Sequence, residues 1–163
     1  MPRSALESGT VSEPRLDRIA RAVFGSRYSI HDLSRCTGEG DENFARFNMP
    51  LELGMAIAKR FIEGADEHDW LVLVPQGHAY QRFISDLAAY DLASHDGSVK
   101  NVVVAVMAWL ATRKDAFPPI TPSDVLTALP QFEADKAALE KAWGGQPPWR
   151  DVVLAAIRIV RAL

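Results

Sequence analysis

The chain has 163 residues, of which 48% are hydrophobic and 24% are charged, and its formal net charge is −3. This composition is typical of a globular protein of one domain, with or without an appendage. The weak negative charge and the lack of a basic block argue against nucleic acid or an anionic membrane surface as a partner. A single cysteine excludes an internal disulfide and a cysteine zinc site, which favours a cytoplasmic location.

The first part of the chain alternates helix and strand patterns. Apolar residues at helical spacing predict a helix over residues 12–24, which Gly25 ends. A short strand over residues 28–33 follows, and Asp32 lies at its carboxyl end. The acidic, glycine-containing loop of residues 35–47 fits either a mobile lid or a tolerated insertion.

The next helix has a strong start signal, with Asn48 as N-cap and Pro50 in the first turn, and Gly64 is its stop. Glu52 is the one carboxylate in this otherwise apolar start. It fits two interpretations. One is favourable pairing with the helix dipole in the first turn. The other is a carboxylate with a raised pKa at the mouth of a pocket, where it has a chemical role.

A continuous apolar strand is predicted over residues 70–75, followed by a loop that contains Gln76 and His78. A third strand is predicted within residues 85–94, ending near Asp91. Residues 98–113 form the most apolar helix, which we expect to be buried.

The proline-rich residues 117–120 are the predicted boundary between two parts. Three helices follow, over residues 121–129, 131–143 and 149–163, with Pro130 separating the first two. The predicted fold is therefore α/β: a small parallel sheet of about three strands covered by helices over residues 1–116. An all-helical C-terminal extension over residues 117–163 packs on it.

The sequence contains no phosphate-binding glycine loop and no serine nucleophile elbow. Its histidines lack the spacing of metal ligands, so no metal site is predicted. Asp32 and Glu52 come from neighbouring strand–helix units, whose polar ends meet beyond the carboxyl edge of a parallel sheet. Two carboxylates facing one crevice are what the cleavage of an N-glycosidic bond needs. The alternative is that both are caps and loop acids around a sheet edge.

Three segments carry a family resemblance: residues 27–34, residues 46–54 with their Glu-Leu-Gly pattern, and residues 80–87. They resemble a bacterial group of uncharacterised proteins that is similar to nucleoside 2-deoxyribosyltransferases and to TIR-type nucleotide hydrolases. The resemblance implies a flavodoxin-like parallel sheet, with Glu52 as the nucleophile and Asp32 as the group that binds or protonates the substrate. We expect further substrate contacts from five polar residues: Arg46, Asn48, Gln76, His78 and Asp86.

The resemblance also implies that a nucleoside or NAD is a substrate, with no bound cofactor. In that family a strand, a helix and a second strand come before the segment that here begins at Met1, so we expect exposed strand edges and self-association. The sequence leads to a nucleotide-related function, with N-glycosidic cleavage or transfer as one form of it. The alternative is a non-catalytic nucleotide-sensing or oligomerisation module of bacterial systems, including defence systems, and fold alone does not choose between them.

Overall fold

The structure, a computed structural model, describes residues 2–4, 13–34, 48–77, 79–82, 84–113 and 120–162. In chain order the helices and strands are α1 (Arg15–Phe24), β1 (Tyr28–Asp32), α2 (Asn48–Glu63), β2 (Asp69–Pro75), β3 (Ala93–His95), α3 (Val99–Ala111), α4 (Pro122–Trp143) and α5 (Trp149–Val160). Two short 3₁₀ turns, Ala79–Arg82 and Ser85–Ala89, lie between β2 and β3. Within these described ranges, no helix is both long enough and apolar enough to cross a membrane.

The sheet has three parallel strands in the order β1-β2-β3, which confirms the predicted small parallel α/β fold. Buried Leu53 of α2 packs with Val72 and Val74, so α2 covers one face of the sheet. The Tyr28 ring packs edge-on against Trp109 of α3, which places α3 on the other face. Side chains alternate between the two faces of a strand. Each face therefore has its own helix layer, as parallel strands require.

Helix α1 packs on α2, where Ile19 and Val23 bury against Ala56. The connection from α1 to β1 is held by a buried lysine. Lys59 Nζ donates hydrogen bonds to the carbonyls of Phe24 (2.7 Å) and Ser26 (2.8 Å). The lysine thereby satisfies carbonyls at the end of α1 and fixes the direction in which β1 leaves it.

The prediction of a third strand within residues 85–94 was wrong in its position. Ser85–Ala89 is a 3₁₀ turn that buries Leu87 in the core, and the strand is the following Ala93–His95. Three residues of low strand propensity give little signal in the sequence. They become a strand because β2 supplies the ladder, with Gln76 N donating to the His95 carbonyl (3.1 Å).

The predicted break at Pro130 was also wrong, because α4 runs unbroken through it. A proline inside a helix removes one hydrogen bond and strains the preceding turn. The good helix formers on both sides of Pro130 outweigh that cost here. The start of α4 was predicted correctly: Thr121 and Asp124 form a reciprocal capping box, and Gly144 ends the helix in the left-handed conformation (φ 67°).

Helix α3 begins after the predicted N-cap Ser98, but it is not the buried helix that its composition predicts. None of its residues is fully buried, although it is the most apolar of the helices described. Helix α3 packs on β3 on one side and on α4 on another, and a three-stranded sheet is too narrow to cover it completely. The predicted boundary at residues 117–120 lies mostly outside the described residues and stays a prediction.

Candidate ligand-binding cavity

A cavity of about 640 Å³ lies beside β1, between α1 on one side and α3 on the other. Residues 28–31 of β1, Glu52 of α2, and Trp109 and Leu110 of α3 line it. The described residues that line the cavity carry a net positive charge, with four arginines, Arg3, Arg15, Arg18 and Arg21, against two acids, Glu13 and Glu52, of which Glu13 is ion-paired with Arg21. A surplus of arginine in a concave site favours an anionic ligand.

Glu52 is the buried acid of this cavity, with 7% of its surface exposed. Burial raises the pKa of its carboxyl group, and the positive charge of Arg15 offsets part of that effect. Helix α2 begins at Asn48, so Glu52 is in its second turn, and the first turn contains no acid. Pairing with the helix dipole falls off beyond the first turn, so it does not account for Glu52.

A chain of hydrogen bonds runs behind the cavity wall. His68 Nδ1 lies 2.8 Å from the Ser26 carbonyl and donates to it, so Nε2 of the neutral ring accepts from the Ser29 hydroxyl (3.3 Å). The Ser29 oxygen in turn accepts from His31 Nε2 (2.9 Å). Among the described residues, His31 Nδ1 has no hydrogen-bond partner.

His31 and His68, the two histidines of this hydrogen-bonded series, are uncharged at neutral pH. Burial, with a smaller contribution from the charge of His68, lowers the pKa of His31 from 6.5 to about 4. Burial also lowers the pKa of His68. In the part of the chain that the structure describes, the positive charge of the cavity therefore comes from its arginines, and the two histidines behind Ser29 add none.

Asp32 does not share this cavity. His31 is paired with Val72 of the α2 face, and Asp32 is the next residue along β1, so its side chain points to the α3 face. There its Oδ1 accepts from Ser34 N (2.9 Å) and lies 3.5 Å from His95 Nε2. These contacts are those of a turn-forming aspartate. The structure therefore does not bring the carboxylates of Asp32 and Glu52 together in one crevice.

The other predicted substrate contacts also lie away from the cavity or outside the described residues. Asn48 is exposed at the start of α2, Gln76 is exposed after β2, and Asp86 is exposed in a 3₁₀ turn, and none of the three lines the cavity. Arg46 and His78 lie outside the described residues. Within the described ranges there is no cluster of histidine, cysteine and acidic residues that could hold a metal.

Sequence reasoning missed the arginines and the buried hydroxyl–imidazole chain. Arg15, Arg18 and Arg21 recur every third residue on α1, which the sequence presents as an ordinary polar helix face. That spacing was the available signal for a charged wall. The sequence signal for the hydroxyl–imidazole chain was weaker. It consisted only of two polar residues, Ser29 and His31, that are two apart on a short strand and so share a face.

Comparison with protein-family models, with curated proteins and with solved structures finds no match to this chain. The function of the chain is therefore inferred from the cavity and from the residues that line it.

Proposed function

We propose that the protein binds a nucleotide in the Glu52 cavity, with the phosphates at the arginines of α1. The observation that carries this proposal is a buried acid with a raised pKa inside a cavity that four arginines line. Arginine matches the geometry of phosphate oxygens, and a pocket with few convergent polar groups and a perturbed pKa is the default ligand site of a small protein. The resemblance of residues 46–54 to the deoxyribosyltransferases supports the same ligand class.

Cleavage of the N-glycosidic bond is the second candidate, and the raised pKa of Glu52 favours it. A raised pKa makes a carboxyl group hold its proton more strongly, and the protonated Glu52 can give that proton to the departing base as the glycosidic bond breaks. Water then adds to the anomeric carbon and releases a proton to the Glu52 carboxylate. Asp32 has no part in this step, because it lies on the other face of the sheet.

Calorimetric titration of the full chain with AMP, ADP, NAD and adenosine tests the binding proposal. Arg15→Gln removes one charge-assisted contact and is expected to weaken binding of the phosphate-bearing ligands about tenfold. Adenosine binding should change little. Arg158→Gln is the matched control, since Arg158 is exposed on α5 and does not line the cavity. Absence of saturable binding for every phosphate-bearing ligand would overturn the proposal.

Chromatographic detection of free base from NAD and from nucleosides tests the second candidate separately. Base release is expected from the wild type and from Asp32→Asn, and it should be lost in Glu52→Gln. Base release that Glu52→Gln leaves unchanged would exclude the Glu52 mechanism. Saturable binding without any base release would leave a nucleotide-binding protein that does not turn its ligand over.

A further inference from the structure

We propose that the cavity also accepts an acidic polypeptide segment, which adds to the sheet as a further strand along the outer edge of β1. This inference goes beyond nucleotide binding, because the occupant is an extended chain that is held by backbone hydrogen bonds. It rests on the edge of β1, on the two helices that flank that edge, and on the charge of the wall.

The backbone of β1 directs alternate residues to its two sides. The Arg27 carbonyl accepts from Asp69 N (3.0 Å), and Leu33 N donates to the Leu73 carbonyl (2.8 Å), so both of these residues face β2. Backbone groups alternate along a strand, so the N–H and C=O groups of Tyr28, Ile30 and Asp32 point away from β2. β1 is an outer strand of the sheet that the described residues form. Its outward groups have the pattern that strand addition uses.

The edge lies in a groove that suits a strand. Helix α1 forms one wall and α3 forms the other, so an added strand would be covered on both faces, as parallel strands are in α/β proteins. The five residues of β1 span about 17 Å at the usual rise of about 3.3 Å per residue. The Ile30 side chain is 45% exposed and offers an apolar contact at the centre of the edge.

The two walls differ in chemistry, and this difference specifies the occupant. The α1 wall presents Arg15, Arg18 and an ion pair of Arg21 with Glu13, and so has a net positive charge, whereas the α3 wall presents Trp109 and Leu110. Side chains of an added strand would alternate between these walls. A segment with acidic residues alternating with apolar residues therefore complements both of them at once.

The same charge disfavours a second copy of this chain at the edge. In a two-fold antiparallel pairing of β1 with its symmetry mate, the two α1 helices would lie on the same face of the joined sheet. Each α1 would bring Arg15, Arg18 and the ion pair of Arg21 with Glu13 towards the interface, which is a net positive charge from each copy. Like charges that face each other across an interface oppose association.

The test uses the full chain and a seven-residue peptide of alternating glutamate and valine, without nucleotide. Amide hydrogen exchange measured by NMR should slow at least about tenfold at Tyr28 and Ile30 when the peptide saturates the protein. Exchange at Ser29 and His31 should stay unchanged, because their amides already face β2. A peptide in which lysine replaces glutamate is the charge control, and it should not bind.

Peptides that are N-methylated at alternate residues separate strand addition from charge attraction. In an added strand, the N–H groups of every second residue point towards β1 and those of the residues between them point away. Methylation of the N–H groups that point towards β1 should abolish binding, and methylation of those that point away should not. Arg15→Gln should weaken peptide binding about threefold to tenfold, with Arg158→Gln as the unaffected control.

Equal binding of the two N-methylated peptides, or unchanged exchange at Ile30 under saturation, would overturn the proposal. Protection of Ile30 in the peptide-free protein together with a dimer in sedimentation would assign the edge to a second copy instead. Nucleotide titrations are separate measurements, so failure of nucleotide binding leaves the result for the peptide intact.

Discussion

The stability of this protein towards acid should depend on His31. The side chain is only 3% exposed, and burial lowers its pKa from 6.5 to about 4. Between these two pH values the unfolded chain binds a proton at this position and the folded chain does not. The linkage therefore has a definite sign: the free energy of unfolding falls as the pH falls from about 6.5 towards about 4.

The magnitude follows from the two pKa values. Each pH unit of difference corresponds to about 1.4 kcal/mol, so His31 accounts for a loss of about 3 kcal/mol once the pH is below 4. About 2 kcal/mol of that loss should occur between pH 7 and pH 5, a range in which the lowered pKa leaves the folded His31 neutral. That is a large part of the free energy of unfolding of an ordinary small domain.

The assay is urea unfolding of the wild type and of His31→Asn at pH 7 and at pH 5. Asparagine keeps an N–H donor for Ser29 but does not titrate. Between pH 7 and pH 5, the free energy of unfolding of the variant should fall by about 2 kcal/mol less than that of the wild type. His68 is present in both proteins, so its own lowered pKa contributes to both measurements. An equal fall in the free energy of unfolding of the two proteins would show that the pH dependence does not come from His31.

Three further substitutions test local features of the fold, each by urea unfolding at neutral pH. Thr121→Ala removes the hydroxyl of the capping box with Asp124 and should cost about 1 kcal/mol; an unchanged midpoint would mean that the box is not formed. Gly64→Ala places a Cβ on a residue with φ of 95° and should cost about 1 kcal/mol, whereas no loss would contradict that backbone conformation. Pro130→Ala restores a helical N–H inside α4 and should gain about 1 kcal/mol or more, and a loss would contradict a continuous α4.

Much of the fold could be predicted because most elements carry strong local signals. The apolar run of β2 and the stop at Gly64 are such signals, and the structure agrees with both. The failures were cases in which tertiary contacts overrule local preference. Ala93–His95 is a strand because β2 lies beside it, and Pro130 sits in a helix because strong helix formers flank it.

The candidate site could be predicted only in part. Glu52 stands out in the sequence as a single acid among apolar residues, and it does line the cavity. The arginines of α1 and the Ser29 hydroxyl gave weaker signals, because polar residues on a helix face or a short strand are usually solvated. These residues line a common cavity because α1 lies next to the edge of β1. The buried Lys59 fixes this arrangement by binding the carbonyls between α1 and β1.

The position of Asp32 shows why a chemical pair is harder to predict than a single residue. The sequence places Asp32 at the end of β1 correctly, but a shift of one residue along a strand moves a side chain to the opposite face. His31 lies on the side of Glu52, and Asp32 lies on the side of His95. Two acids that share no partner should act independently, so the effects of Glu52→Gln and Asp32→Asn on the free energy of unfolding should add within about 0.5 kcal/mol. Two carboxylates in one crevice would repel each other, and each single variant would already relieve that repulsion, so a double variant less stable than the sum would indicate a common site.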